Sequence, residues 1–181
     1  MTDYTDYNGT WTIDPPHTRL GFVARHAMVT KVRGAFEDVA GTIVIDSANP
    51  SGSTAAVAVQ LASVNTGAPD RDAHLRSADF FDVEVNTEMT FASTAVKDDG
   101  DEFVMIGDLT IKGVTRPIEL ELEPTGVATD PFGNVRAGFE GVAELSRKDF
   151  GLTWNVALEA GGVLVSDKVR IQLDVSAIRT A

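Results

Sequence analysis

Two stretches of this chain set apolar and polar residues in strict alternation. In PIELELEP, Ile118, Leu120 and Leu122 face one way and Glu119, Glu121 and Glu123 the other. In KVRIQLDVS, Val169, Ile171, Leu173 and Val175 stand against Arg170, Gln172 and Asp174. A period of two belongs to a β-strand with one dry face and one wet face. Weaker forms of the pattern place strands near residues 9–14, 19–27, 32–46, 53–63, 89–96, 102–112, 114–127, 134–147 and 167–179. Turn signals separate many of them: SANPSG at 47–52, KDDGD at 97–101, KGV at 112–114 and TDPFGN at 129–134. Connections this short join antiparallel neighbours, so the pattern predicts an all-β meander and not a βαβ array.

A sheet that is apolar on one side only must close on itself or be covered, and the chain has too few helical segments to cover it. An antiparallel β-barrel of about eight strands is the smallest closed solution, and it either fills its interior with side chains or holds one small ligand. TAAVAVQLAS and RAGFEGVAEL put Ala and Gly where a solid core would want Leu and Ile, which favours a hollow, although the same residues also serve bends and bulges. One segment breaks the strand pattern. RDAHLRSADFF, residues 71–81, fits a short helix with Pro69 near its start, Asp70 and Asp72 in its first turn and Arg76 in its last. A helix of one or two turns set among strands must cover something.

The 181 residues carry no linker-like run, which suits a single domain. There is no Cys, which excludes disulfides and zinc-thiolate sites. The balance of 15 Lys and Arg against 27 Asp and Glu gives a net charge of −12, repulsive toward phosphates and anionic membrane surfaces, and no cluster of basic residues stands against it in the sequence. Nucleic acid is therefore not an expected partner. No apolar run is long enough to span a membrane, so no stable membrane insertion is expected. MTDYTDYNGTW has neither the basic nor the apolar region of a signal peptide, and the expected location is cytoplasmic.

Motifs for chemistry are sparse. His26 shares a strand face with Leu20, Phe22 and Ala24, either as a histidine satisfied at the core edge or as a ligand contact. His74 follows Asp70 by four residues, a helical spacing that would orient the imidazole or merely stabilise the helix. His17, His26 and His74 lack the local spacing of a metal site, and DDGDE at 98–102 reads as a solvated turn and not a calcium loop. The chain has no G-x-S-x-G elbow, and GDLTIKGVTRP lacks the glycine spacing of a phosphate cradle. No catalytic or metal-binding residue is assigned. Phe22, Phe36, Phe91, Phe103 and Phe139 fall on the apolar halves of strands, where core packing and a ligand-lined wall look alike.

Four segments taken in order, WTIDPPHTRLGFVARHAMVTKVRGAFEDVAGTIVID, RDAHLRSADFFDVEVNTEMTF, GDLTIKGVTRPIELELE and SRKDFGL, resemble the YceI-like family of lipid-binding proteins. The resemblance runs from about Trp11 to the last strand, leaving residues 1–10 as an N-terminal extension ahead of one domain over 11–181. Where the family often has a proline before the TF strand, this chain has Asn86 and Thr87. The resemblance implies an extended, lipocalin-like barrel with one or two short helices. Its interior would take a polyisoprenoid or other long-chain lipid, a polyprenyl diphosphate or a quinone-like molecule, with no cofactor. The residues expected against that ligand are Leu20, Phe22, His26, Phe36, Leu75, Phe80, Phe81, Phe91, Met105 and Leu109. Arg71 and His74, with Arg76, would stand at the rim near its head group. The resemblance further implies storage or transport without catalysis, and makes a homodimer an expectation; many relatives are exported. An enzyme using His26 or His74 as general base, and a solid barrel with a structural role, are the alternatives.

Overall fold

The computed structural model describes residues 3–181. Its strands are β1 (Gly9–Ile13), β2 (Arg19–His26), β3 (Thr30–Phe36), β4 (Val39–Ile45), β5 (Thr54–Gln60) and β6 (Val64–Asn65), followed by β7 (Glu88–Asp98), β8 (Phe103–Ile111), β9 (Val114–Thr129), β10 (Val135–Ser146) and β11 (Lys168–Arg179). One α-helix, α1 (Pro69–Arg76), separates β6 from β7. Every pairing is antiparallel. Eight strands close a ring in the order β1, β4, β5, β7, β8, β9, β10, β11 and back to β1. The fold is a closed eight-stranded antiparallel barrel with one helix, as the alternation predicts.

The ring carries a flap. β11 pairs with β1 through residues 177–179 and with β2 through residues 170–174, so one strand has two successive neighbours on the same edge. From β2 the flap continues to β3 and the short β6. Here the structure divides what the sequence pattern joined. The expected strand over 32–46 is broken at Glu37 and Asp38, and the one over 53–63 ends at Gln60 in a turn over Leu61–Ser63. At the break the Glu37 amide donates to the Ser63 carbonyl and hydroxyl, while the Gln60 amide donates to the Asp38 carbonyl. Alternation continues through a corner where a strand changes partners, so it does not mark the corner.

Turns follow their residues. Lys112 and Gly113 join β8 to β9 with φ of 52° and 74°, the left-handed pair a two-residue hairpin needs. Asn86 and Thr87, at the family's proline position, stand just before β7, and the Asn86 amide donates to the Phe81 carbonyl at 3.1 Å. Residues before Trp11 pack into the barrel end: Tyr7 is buried, its ring lies 5.5 Å from that of Phe139, and its carbonyl accepts the Trp11 indole N–H at 2.7 Å. The division at residue 11 therefore falls inside β1, which begins at Gly9.

An ion-pair network fastens the β1–β2 joint to the β9–β10 hairpin. Arg136 donates to Asp14 at 2.6 Å and to Asp130 at 2.8 Å, and His17 meets Asp14 at 2.7 Å. The hydrogen bonds from Arg136 and then His17 hold the Asp14 carboxyl below its ordinary value. Burial pushes Asp130 up, but Arg136, Asn134 and the amides of Asn134 and Phe132 outweigh it and hold this carboxyl well below the usual range. A depressed folded-state pKa stabilises the fold above the unfolded carboxylate pKa, about 3.9, and that stabilisation is lost as pH falls through the folded value. Arg136→Ala should therefore lower the urea midpoint at pH 7, with the gap to wild type narrowing below about pH 4. A gap independent of pH would show that the pairs carry no such linkage.

Candidate functional site

The barrel is hollow. A cavity of about 330 Å³ runs along its interior with an almost wholly apolar wall, at the lower end of the roughly 300–1,000 Å³ of small-molecule sites. Register explains the space. The inner face of β10 reads Ala137, Phe139, Gly141, Ala143 and Leu145, opposite Leu122 and Leu173 at Gly141 and Ile171 at Ala143. A Cβ at Gly141 would stand 2.7 Å from a Leu122 methyl, so the leucines lean over the glycine. Gly107 and Gly34 do the same for rings: a Cβ at Gly107 would come within 2.3 Å of the Phe91 ring, and one at Gly34 within 2.5 Å of the Phe22 ring. With no side chain beneath them, these phenyl groups lie against the wall and leave the bore open.

One end of the cavity is lined by Tyr4, Tyr7, Asp46, Ser47, Pro50 and Ser53, from the N-terminal segment and the β4–β5 loop. Sequence reasoning missed this end, because loop residues carry no periodic signal. At the other end stands α1 with the chain after it. Leu75, Phe80 and Phe81 line the wall there, and Phe81 meets Phe36 edge-on at 5.7 Å, which in turn lies 5.7 Å from Phe22. The helix is the cover the sequence asks for. It is fastened by its polar residues: buried Asp72 accepts from the Thr66 amide at 2.9 Å, Arg71 donates to the Thr66 hydroxyl and carbonyl, and Arg76 donates to the carbonyls of Ala62 and Val64.

Of the residues expected against a ligand, Leu20, Phe22, Phe36, Leu75, Phe80, Phe81, Phe91, Met105 and Leu109 all line the cavity. His26, Arg71 and His74 do not line it. His26 has the right parity, but β2 runs past the barrel end and leaves it exposed beside Val165, with which it forms an isolated bridge. Arg71 and Arg76 spend their guanidinium groups on chain oxygens. His74 pairs with Asp79 at 2.8 Å instead of Asp70, because the chain turns back after α1 and brings Asp79 beneath a ring already held by Phe80 and Trp154.

Arg147 is the polar residue that sequence reasoning passed over. It is 4 % exposed and lies against the cavity wall. Its guanidinium donates to the carbonyls of Ser166 at 2.8 Å, Leu152 at 2.7 Å, Trp154 at 2.9 Å and Val165 at 3.2 Å. Burial lowers its pKa, and nearby Asp167 works against that shift. Asp167 itself is held below its ordinary value, first by the Ser146 hydroxyl at 2.6 Å. The signal was an arginine two residues after the inward Leu145 and shortly before Phe150 and Leu152 of SRKDFGL. It gathers residues 152–166 into a closure over the cavity end.

The comparisons with known proteins agree with this architecture. A family model described as the YceI-like domain matches residues 11–177. The protein YceI of Escherichia coli O157:H7 is 41% identical over 136 residues, 75% of this chain and 71% of that one. Among solved structures, BcnA of Burkholderia cenocepacia superposes with a TM-score of 0.77 at 22% identity, over 91% of this chain and 98% of that one. A polyisoprenoid binding domain from Saccharophagus degradans superposes with a TM-score of 0.71 at 16% identity, over 94% and 98%. An apolar bore in an eight-stranded barrel, a family-model match over nearly the whole chain and a relative at 41% identity lead to one assignment: the chain is a member of the YceI-like family.

Proposed function

We propose that this protein binds a polyisoprenoid or comparable long-chain lipid in its barrel and stores, shields or transfers it without chemical change. The observation that carries this reading is the continuous apolar bore, supported by a fold neighbour described as a polyisoprenoid binding domain. Each methylene taken from water contributes about 0.8 kcal/mol, so a five-carbon unit contributes on the order of 3 to 4 kcal/mol. The competing environment is the bilayer, where the chain is already dry, so exchange between membrane and barrel is close to balanced. Balanced exchange suits a carrier. The wall offers polar atoms almost nowhere, so a diphosphate or quinone head group stays at an end of the bore while the tail enters. Neither His26 nor His74 lines the bore, which leaves a general-base role there without a positioned imidazole.

Native mass spectrometry of gently purified protein tests the reading: the expected spectrum shows a mass excess that organic extraction removes and identifies as lipid. A spectrum of bare polypeptide only, from cells and from incubation with prenyl lipids alike, would remove it. The same spectra read the subunit count, for which a dimer is the expectation.

A further inference from the structure

We propose that the β2–β3 hairpin and the turn packed beside it form a docking tip for an anionic lipid bilayer. The inference rests on the lipid-binding reading but concerns a different surface. Among the described residues, seven large hydrophobic side chains are exposed, and four of them, Met28, Val29, Val156 and Val163, belong to this tip. Backbone bonds hold the two pieces together: Ala27 donates to the Leu164 carbonyl at 2.7 Å and Leu164 to that of Val156 at 2.9 Å. Ala27 and Met28 adopt φ of 52° and 64°, so an apolar residue occupies a left-handed turn position where Asn or Gly would sit without strain.

The charge around the tip is opposite to that of the molecule. Residues 15–36 contain Arg19, Arg25, Lys31 and Arg33 and no carboxylate, in a chain of net charge −12. The absence of a basic cluster read from the sequence is thereby corrected, because strand pairing assembles one. Arg25 stands directly across from Lys31, and Arg33 and Arg170 flank Val23 on either side, all on the outward face of β11, β2 and β3. Like charges across a pair repel, and among the described residues none of Arg25, Lys31, Arg33 and Arg170 is in an ion pair. An anionic surface would relieve that repulsion. The carboxylates nearby are Glu144, paired across from Arg170, Glu119, Glu121 and Asp149, which share a groove with Arg170 on the side away from the tip, Asp167 next to Ser166, whose amide donates to the Arg25 carbonyl, and Glu159 on the 156–163 turn.

Apolar side chains ringed by basic ones suit the boundary between head groups and acyl chains of an anionic membrane. The position also has a use. Ala24 and Val165, which line the end of the cavity, adjoin the tip through the bridge between His26 and Val165. Docking there sets the open membrane face against the end of the bore.

Vesicle co-sedimentation tests this. Wild-type protein is expected to sediment with vesicles of phosphatidylcholine containing phosphatidylglycerol at low salt, and far less with phosphatidylcholine alone. Neutralising two basic residues, Lys31→Gln with Arg33→Gln, should reduce partitioning by about thirtyfold. Val29→Asp with Val163→Asp, both on exposed positions, should reduce it by at least about tenfold. Circular dichroism should show both variants folded. No sedimentation of wild type, equal sedimentation with both vesicle types, or loss in the charge variant without loss in the apolar one would each overturn the docking tip. Co-purified lipid read by native mass spectrometry separates the two ideas: lipid present without vesicle binding sinks only the tip.

Discussion

Ala55→Trp should empty the barrel without unfolding it. Ala55 lies on β5 across from Ile43, lines the cavity and packs against the cluster of Val96, Met105, Leu120 and Ala143. An indole there occupies the bore at the depth a lipid tail must pass. Overfilling a core costs about 1–3 kcal/mol, small beside the roughly 5–15 kcal/mol stability of a domain, and here the added group enters existing space. Co-purified lipid should fall at least about tenfold while the melting transition stays cooperative, since an occupied bore leaves the tail no apolar surface to exchange for the bilayer. Val44→Trp is the control. Val44 is the neighbour of two cavity-lining residues, Ile43 and Ile45, but is itself 40% exposed on the outer face, so its variant should retain lipid. Equal lipid content in Ala55→Trp and wild type would mean that the lipid lies outside the bore.

Arg147→Ala should produce the largest loss of stability of any single substitution at the cavity end. The change removes the Arg147 donor from the carbonyls of Leu152, Trp154 and Ser166, while that of Val165 keeps the Asn155 side-chain amide at 2.7 Å, and a buried acceptor left without a partner costs about 1–3 kcal/mol before water enters. A net destabilisation of about 3–5 kcal/mol is expected. Arg147→Lys keeps the charge but presents three donors from one point, and should recover only part of it. Urea unfolding measures the loss. Limited proteolysis should show new cleavage within residues 152–166 in the alanine variant, where the closure is released. A loss below about 1 kcal/mol would show that solvent or the chain itself replaces the guanidinium.

The wall of the cavity was largely legible because its signal is local. Phe22, Phe91, Met105 and Leu109 sit on strands whose alternation fixes the inward side, and parity needs no knowledge of the neighbours. His26 shows where parity ends: the strand overruns the barrel, and a side chain on the inner face then meets solvent. The helix bounds and its role as a cover were readable from Pro69, Asp70 and the two phenylalanines that follow. The partners of its charged residues were not, because Thr66, Ala62 and Asp79 reach Arg71, Arg76 and His74 through turns of the chain outside the helix.

By itself, the sequence determined the antiparallel β class and the side on which most strands turn away from water, since both follow from a period of two and from short connections. Tertiary structure alone decided that β11 carries two successive neighbours on one edge, that Arg147 gathers four carbonyls and that Arg25, Lys31, Arg33 and Arg170 share one outer face. These depend on register between strands distant in sequence, and the energy that sets register is shared among all the pairs at once.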